Sequence, residues 1–177
     1  MGFIGLGNMG NGMAKNLLQK GEQVVAFDVD KASLDTAVAA GATPASSPAE
    51  VAASATRIVT MLPNNDIVRQ VRNERLCVLY CIKAIKGIEC HFAKVYTGSD
   101  GILGANKSGS LLIDSSTIDP AVSKELAEKS AMMGAVFVDA PVSGGVNAAA
   151  AGTLTFMVND YRPRLPSAHA NLKWYSL

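Results

Sequence analysis

The stretch Phe3-Ile4-Gly5-Leu6-Gly7-Asn8-Met9-Gly10 decides the fold, because it places a GxGxxG motif between a predicted strand and a predicted helix. Gly5 permits a tight turn, Gly7 lets the backbone approach a pyrophosphate, and Gly10 lets helix and strand pack closely. The unpaired N–H groups and the positive end of the helix would then face the phosphates. Glycine-rich turns are common, so the motif indicates a dinucleotide site only because the elements around it have the required order.

An acidic residue after the next predicted strand supports the same interpretation. Asp28 ends the apolar stretch at 23–28, and it lies 18 residues after Gly10. Its carboxylate can accept hydrogen bonds from both ribose hydroxyls, whereas the 2′-phosphate of NADP would meet like charge. Because no arginine follows within the next few residues, we expect NAD rather than NADP. The alternative is a strand-end acid that caps the next turn.

Strands and helices alternate along most of the chain. The predicted strands are continuous apolar runs at 2–4, 23–28, 57–61, 111–114, 136–139 and 154–158. The predicted helices cover 9–20, 31–40, a segment that begins at the capping box Ser47-Pro48-Ala49-Glu50, and about 120–133. This pattern predicts an α/β protein with a Rossmann-type, doubly wound parallel sheet that is covered on both faces. The pair Met132-Met133 is expected to fill the core.

Composition excludes several classes of protein. Of 177 residues, 49% are hydrophobic, which is too many for a chain that is disordered because of low hydrophobicity. Sixteen basic and fifteen acidic residues give a net charge of +1, so no bulk charge directs the chain to nucleic acid or to an anionic membrane. No apolar run approaches the ~20 residues needed to span a bilayer. The three cysteines favour a reducing compartment over a disulfide framework.

Two segments interrupt the alternation, and they define the predicted domain organisation. We expect an NAD-binding domain at 1–158 with an atypical insertion at 72–95, followed by a divergent tail at 159–177. The insertion contains three cysteines and a histidine that could bind zinc: Cys77, Cys81, Cys90 and His91. The first pair has C-x3-C spacing, whereas zinc knuckles use C-x2-C. We therefore predict no metal site, because cysteines among aliphatic residues more often pack as small hydrophobic side chains.

Three stretches in the same order resemble the β-hydroxyacid dehydrogenase family. They are the glycine-rich stretch continued by Met13-Ala14-Lys15-Asn16-Leu17, then Asp114-Ser115-Ser116-Thr117-Ile118-Asp119-Pro120, and then Asp139-Ala140-Pro141-Val142-Ser143-Gly144-Gly145. The resemblance covers about residues 1–71 and 96–158. Residues 111–145 are most similar to the members that oxidise 3-hydroxyisobutyrate to methylmalonate semialdehyde in valine breakdown.

The resemblance implies an NAD site and half of a substrate site. The implied cofactor-binding residues are Gly5, Leu6, Gly7, Asn8, Met9, Gly10, Asp28, Leu62, Pro63 and Thr117. The implied ligands of the substrate carboxylate are Ser143, Gly144 and Gly145. The expected partner is a small hydroxyacid, with neither nucleic acid nor membrane. Family members form homo-oligomers through a helical domain, and they work in mitochondria in animals, although this chain shows no presequence.

The family's catalytic lysine has no counterpart that we can assign. In the family, that lysine lies on a long helix of an all-helical C-terminal domain, whereas this sequence ends 32 residues after Gly145. The surroundings of Lys173, the one lysine in that stretch, do not match the family motif. We therefore expect a chain that lacks the helical domain and is catalytically incomplete. Two alternatives stay open: a non-catalytic product that binds NAD, and a related reductase that acts on tartronate semialdehyde.

Overall fold

A computed structural model describes residues 1–62 and 91–159. The strands are β1 (Gly2–Ile4), β2 (Val25–Phe27), β3 (Thr43–Pro44), β4 (Arg57–Thr60), β5 (Leu111–Asp114), β6 (Val136–Asp139), β7 (Val142–Ser143) and β8 (Thr155–Phe156). The helices are α1 (Gly10–Gln19), α2 (Lys31–Ala39), α3 (Pro48–Ser54), α4 (His91–Thr97), α5 (Ile102–Ala105), α6 (Pro120–Met132) and α7 (Gly145–Ala151).

Six strands form one parallel sheet in the order β3-β2-β1-β4-β5-β6. This is the strand order of the doubly wound dinucleotide-binding fold, in which the chain runs outward from β1 in one direction and then in the other. The sheet therefore confirms the predicted fold class. The point where the order reverses lies between β1 and β4, at the carboxyl end of the glycine-rich strand.

Each face of the sheet has its own apolar core, because successive side chains of a strand point to opposite faces. Ile58 belongs to one cluster and Val59 to the other. The first cluster is covered by α3, α4, α5 and α6, which contribute Val51, Tyr96, Ile102 and Leu126. The second is covered by α1, α2 and α7, which contribute Met13, Leu17, Ala37 and Ala149. Helices thus lie on both faces, as the continuous apolar strands predict.

Side chains fix where the helices begin. Asp30 caps α2 by accepting a hydrogen bond from the Ser33 N–H at 3.0 Å, and Ser47 caps α3 by accepting from the Glu50 N–H at 3.2 Å. The predicted capping box is only half formed, because the Glu50 carboxylate accepts from the N–H and the hydroxyl of Ser46 instead of returning to Ser47. The start of α3 was nevertheless predicted at the observed residue.

Two sequence predictions were wrong. The segment at 154–158 does not extend the parallel sheet, because β8 pairs antiparallel with β7 in a separate two-stranded sheet. An apolar run of that length contains no information about strand direction. Met132 and Met133 are 78% and 51% exposed. They lie at the end of α6, beyond the positions where the helix contacts the sheet, so they do not fill the core.

Several predicted features lie outside the described residues, namely Pro63, Cys77, Cys81, Cys90 and Lys173. Among the described side chains, those of residues 1–62 and 94–159, no three acidic, cysteine or histidine groups are close enough together to hold a metal ion. No helix in that same part of the chain is both long and apolar enough to cross a membrane.

Candidate cofactor site

Two glycines of the motif are required by the packing of the protein itself. Gly5 has φ +93°, and a Cβ atom there would collide with the carbonyl oxygen of Met61. A Cβ atom at Gly10 would collide with the carbonyl group of Gly5. The turn, the start of α1 and the loop after β4 therefore meet with backbone against backbone, and any side chain would separate them.

Gly7 has a different environment. It is exposed, and a Cβ atom there would have no heavy atom within 4 Å. The packing of the described residues therefore does not explain the glycine at this position. The open space beside Gly7 lies just before the first turn of α1, at the positive end of the helix, where the N–H groups of Asn11 and Met13 donate to the carbonyls of Gly7 and Met9 at 3.1 Å. A pyrophosphate could approach the backbone there without meeting a side chain.

Asp28 connects the end of β2 to the glycine turn. Its Oδ2 accepts a hydrogen bond from the Leu6 N–H at 2.5 Å, and its Oδ1 accepts from the Asp30 N–H at 2.7 Å. The bond to Asp30 is the turn-capping role that the sequence left open as an alternative. Because a carboxylate has about four acceptor positions, these two bonds leave capacity for ribose hydroxyls as well.

A groove of about 430 Å³ runs between the glycine turn, the end of β2 and the loop after β4. Seven of the predicted cofactor residues line it: Gly5, Gly7, Asn8, Met9, Gly10, Asp28 and Leu62. Leu6 does not, because its side chain is fully buried in the core and only its N–H reaches Asp28. The size and the lining are those of a small-molecule site.

Two contributions to the groove were not predicted from the sequence. Val29 lines it and is 81% exposed, so an apolar side chain stands uncovered beside Asp28. Asn11 holds the turn against α2, because its side-chain amide donates to the carbonyl groups of Leu6 at 2.5 Å and of Ser33 at 3.3 Å. Neither residue belongs to a pattern that distinguishes it from an ordinary surface or helix residue.

The remaining predicted residues follow the next two strands at the same edge of the sheet. Thr117 comes after β5, and Ser143, Gly144 and Gly145 come after β6; all four are exposed. None of them lines the groove described above. Because neighbouring strands lie about 4.8 Å apart, the predicted residues form a row along the carboxyl edge, from Asp28 on one side to Ser143 on the other.

Buried polar side chains form a second row at this edge. Thr60, Asp114 and Asp139 end three adjacent strands and are register partners. Oδ1 of Asp114 accepts hydrogen bonds from the Thr60 hydroxyl at 2.8 Å, the Ser116 hydroxyl at 2.6 Å and the Ser116 N–H at 3.1 Å. The Asp114 carboxyl group is therefore bound through one oxygen, and its Oδ2 is buried without a partner among the described residues.

Burial raises the pKa of Asp114 from 3.8 to about 6, against the opposing effect of the hydrogen bonds from Ser116 and Thr60. The neighbouring carboxylate of Asp139 raises it further. Burial also raises the pKa of Asp139, whose Oδ2 accepts a hydrogen bond from the Asn159 amide at 3.1 Å. In Asp114 the acidic proton would reside on Oδ2, since three donors already occupy Oδ1.

Residues 1–84 and 77–170 match the family model described as the NAD binding domain of 6-phosphogluconate dehydrogenase. The chain belongs to this family of NAD-binding domains. The match confirms the predicted class of cofactor.

Relatives support the more specific resemblance. The chain is 48% identical over 173 residues to mitochondrial 3-hydroxyisobutyrate dehydrogenase of Mus musculus. This alignment covers 98% of the chain and 44% of the mouse protein. It is 52% identical over 168 residues to the enzyme of the same name from Rattus norvegicus. That alignment covers 95% of the chain and 43% of the rat protein.

A solved structure gives the same result. The 3-hydroxyisobutyrate dehydrogenase of Mycobacterium tuberculosis with L-serine superposes with a TM-score of 0.67 at 35% identity, over 89% of this chain and 45% of that one. These matches confirm the predicted resemblance. The NAD-binding chain spans less than half the length of each of these three proteins.

We expect the free energy of unfolding to depend on the ionisation of Asp114. The folded chain keeps this proton up to about pH 6, whereas an unfolded aspartate loses it near 3.8. Its contribution to stability is therefore complete below pH 3.8 and is lost as the pH rises through about 6. Asp114→Asn should abolish this dependence.

Urea unfolding of the parent and of Asp114→Asn across this pH range measures the effect. The difference between the two curves reports Asp114 together with its interaction with Asp139, because exposed carboxylates such as Asp30 and Glu50, whose hydrogen bonds lower their pKa values, contribute equally to both. A difference that stays constant from about pH 4 to about pH 7 would show that the Asp114 carboxyl group does not titrate in this environment.

Proposed function

We propose that the chain binds NAD along the carboxyl edge of the sheet and forms the cofactor-binding part of a 3-hydroxyisobutyrate dehydrogenase. The open space at Gly7 is the observation that supports this proposal most directly, because the described part of the chain provides no packing reason for a glycine there. The identity to the mouse and rat enzymes supports the choice of substrate. The reaction would be the oxidation of 3-hydroxyisobutyrate to methylmalonate semialdehyde in valine breakdown.

The cofactor would be held by residues from three strand ends. The N–H groups at the start of α1 would bind the pyrophosphate, and Asp28 would accept hydrogen bonds from the adenosine ribose. Val29 would offer an apolar surface to the adenine. Leu62 and Thr117 would lie towards the nicotinamide, with Pro63 completing the loop. When bound, NAD supplies the acceptor for the hydride that leaves the hydroxyl-bearing carbon.

The substrate carboxylate would bind at the end of β6. A Ser143 hydroxyl followed by the N–H groups of Gly144 and Gly145 offers clustered donors to an anion. Both glycines have positive φ, 133° and 73°, which brings successive N–H groups into a turn that residues with side chains rarely adopt. As the hydride leaves, the hydroxyl proton must pass to a base, and in the family that base is a lysine of the helical domain.

The names of the relatives support a proposal for the compartment. The mouse and rat relatives are named as mitochondrial enzymes, so we propose a mitochondrial location for this chain. In the family, homo-oligomers form through the helical domain, so that assembly is proposed only for a protein that contains this domain. Nothing in the proposed chemistry requires a nucleic acid or a membrane.

Gly7→Val tests the cofactor site. A branched side chain would occupy the space through which the pyrophosphate approaches the backbone, so we expect NADH affinity to fall more than about tenfold, or 1.4 kcal/mol. The fold should persist, since an exposed substitution changes stability by about 0.5 kcal/mol. NADH fluorescence titration and thermal unfolding measure the two effects.

A matched control for this variant is Gly104→Val. Gly104 lies in α5, and a Cβ atom there also has no heavy atom within 4 Å, but it does not line the groove. Its NADH affinity should equal that of the parent. If Gly7→Val binds NADH as tightly as Gly104→Val, the turn does not contact the pyrophosphate.

Asp28→Ala tests the choice of cofactor. Removing the carboxylate takes away the acceptor for the ribose hydroxyls and the repulsion of a 2′-phosphate. We therefore expect weaker NADH binding and a smaller preference for NADH over NADPH, measured by titration with each. Asp119→Ala is the control, because Asp119 accepts an N–H hydrogen bond from Ala121 at 2.7 Å, as Asp28 does from Asp30. A preference that is equal in both variants would contradict the assignment of Asp28.

Ser143→Ala tests the carboxylate site. A lost hydrogen bond to a charged group is worth about 1.5–3 kcal/mol, so the affinity of the NADH-loaded chain for 3-hydroxyisobutyrate should fall about tenfold or more. Saturation-transfer NMR measures this affinity directly, with glycerate as the competing hydroxyacid. Tighter binding of glycerate would favour the reductase of tartronate semialdehyde, and an unchanged affinity in Ser143→Ala would place the carboxylate elsewhere.

A further inference from the structure

A chain of buried hydrogen bonds connects the interior of the sheet to the groove. We call it the Asp114 relay, and it consists of Tyr96, Thr60, Asp114, Ser116 and the N–H of Leu62. Its side chains are almost completely buried, with exposures of 1% for Thr60 and 0% for the other three polar residues. Its last member, Leu62, lines the groove.

The ionised carboxylate of Asp114 can only accept hydrogen bonds, and this sets the directions in the relay. The hydroxyls of Thr60 and Ser116 each have one hydrogen, and both lie within hydrogen-bond distance of Asp114 Oδ1. If each donates to the carboxylate, each oxygen is free to accept. Ser116 then accepts from the Leu62 N–H at 2.9 Å, and Thr60 accepts from the Tyr96 hydroxyl at 2.7 Å. Burial raises the pKa of Tyr96 well above its usual value, so that hydroxyl keeps its proton.

With these directions, the buried carboxyl group of Asp114 determines the position of the loop that follows the neighbouring strand, β4. Leu62 follows β4, whereas Asp114 and Ser116 belong to β5 and the turn after it. The N–H of Leu62 is buried and has Ser116 Oγ as its acceptor. Without that acceptor, the N–H would have to find another partner, and the backbone at 61–62 would move from the wall of the groove.

We propose that Ser116, held by Asp114, is a positioning residue that fixes the loop after β4 for the nicotinamide half of the cofactor. The proposal rests on the proposed function, because it assigns Leu62 to the cofactor. It concerns only the half of the cofactor beyond the glycine turn. Asp28 and the glycine turn, which would hold the adenosine half, share no described hydrogen bond with the relay, and Gly5 meets the loop after β4 by packing alone.

The sequence provides an internal control for this proposal in the adjacent residue. Ser115 is also a fully buried serine, but its hydroxyl has no hydrogen-bond partner among the described residues. Its N–H donates to the Thr60 carbonyl at 2.8 Å, and that bond survives any change of side chain. Ser115→Ala and Ser116→Ala therefore remove the same atoms from neighbouring buried sites, and only the second interrupts the relay.

The test compares these two variants in the full chain by three measurements. Hydrogen exchange at the Leu62 amide should be about tenfold or more faster in Ser116→Ala than in Ser115→Ala, because a buried donor has lost its acceptor. The Kd for NADH should rise by a similar factor. The Kd for AMP, which lacks the nicotinamide half, should stay within about twofold of the parent value, whereas general destabilisation would weaken both ligands alike.

Each possible result either supports the proposal for Ser116 or overturns it. Faster exchange at Leu62 together with a selective loss of NADH affinity supports the proposal. Equal exchange in both variants overturns it whether or not the chain binds NADH. Faster exchange with unchanged NADH affinity also overturns it. A parent chain that binds neither NADH nor AMP rejects the proposed function, and the exchange data would still report whether the hydrogen bond to Leu62 exists.

A second variant covers the case in which Ser116→Ala does not fold, as judged by circular dichroism. Ser116→Cys keeps a weak donor and acceptor of similar size at the same position. It should give an exchange rate at Leu62 and an NADH affinity between those of the parent and the values expected for alanine. Parent-like values for both would overturn the proposal.

Discussion

The close approach of backbone to backbone at the glycine turn is the constraint on which the rest of the site depends. Gly10 lies against the Gly5 carbonyl, and Gly5 lies against the Met61 carbonyl, with no room for a side chain at either contact. Together these contacts hold the start of α1 directly above the end of β1 and draw in the loop after β4. Between these two contacts Gly7 has open space beside it, and the groove lies between the turn, β2 and that loop.

Features that are encoded locally could be predicted from the sequence. The glycine turn, the acid after β2 and the starts of α2 and α6 each depend on a few adjacent residues, and the structure places them as predicted. Strand β3 could not be predicted, because Thr43 and Pro44 are exposed and lack an apolar pattern. The direction of β8 could not be predicted either, since its partner β7 is too short to produce a pattern of its own.

The Asp114 relay could not be predicted from the sequence, because it depends on contacts between residues that are far apart in the chain. Its members come from β4, α4 and β5, and what brings them together is the register Thr60↔Asp114 of two strands separated by more than fifty positions in the sequence. The sequence does show that two family motifs, at 114–120 and 139–145, each begin with an aspartate after an apolar strand. Because parallel strands end at one edge, these aspartates could have been expected to lie side by side, but their hydrogen-bond partners could not.

That arrangement places two carboxyl groups on adjacent strands in a poorly solvated site, which is unfavourable unless they are hydrogen-bonded or protonated. The two aspartates meet this requirement differently. Asp139 lies at the outer strand of the sheet and is bound by Asn159, whereas Asp114 lies one strand inward and is bound by three donors on a single oxygen. Since those donors come from residues that also bind the backbone of Leu62 and the hydroxyl of Tyr96, the buried charge of Asp114 orients groups on three separate elements. A hydrophobic residue of similar size could fill the same volume, but it could not hold the groove wall and the helix α4 to one position.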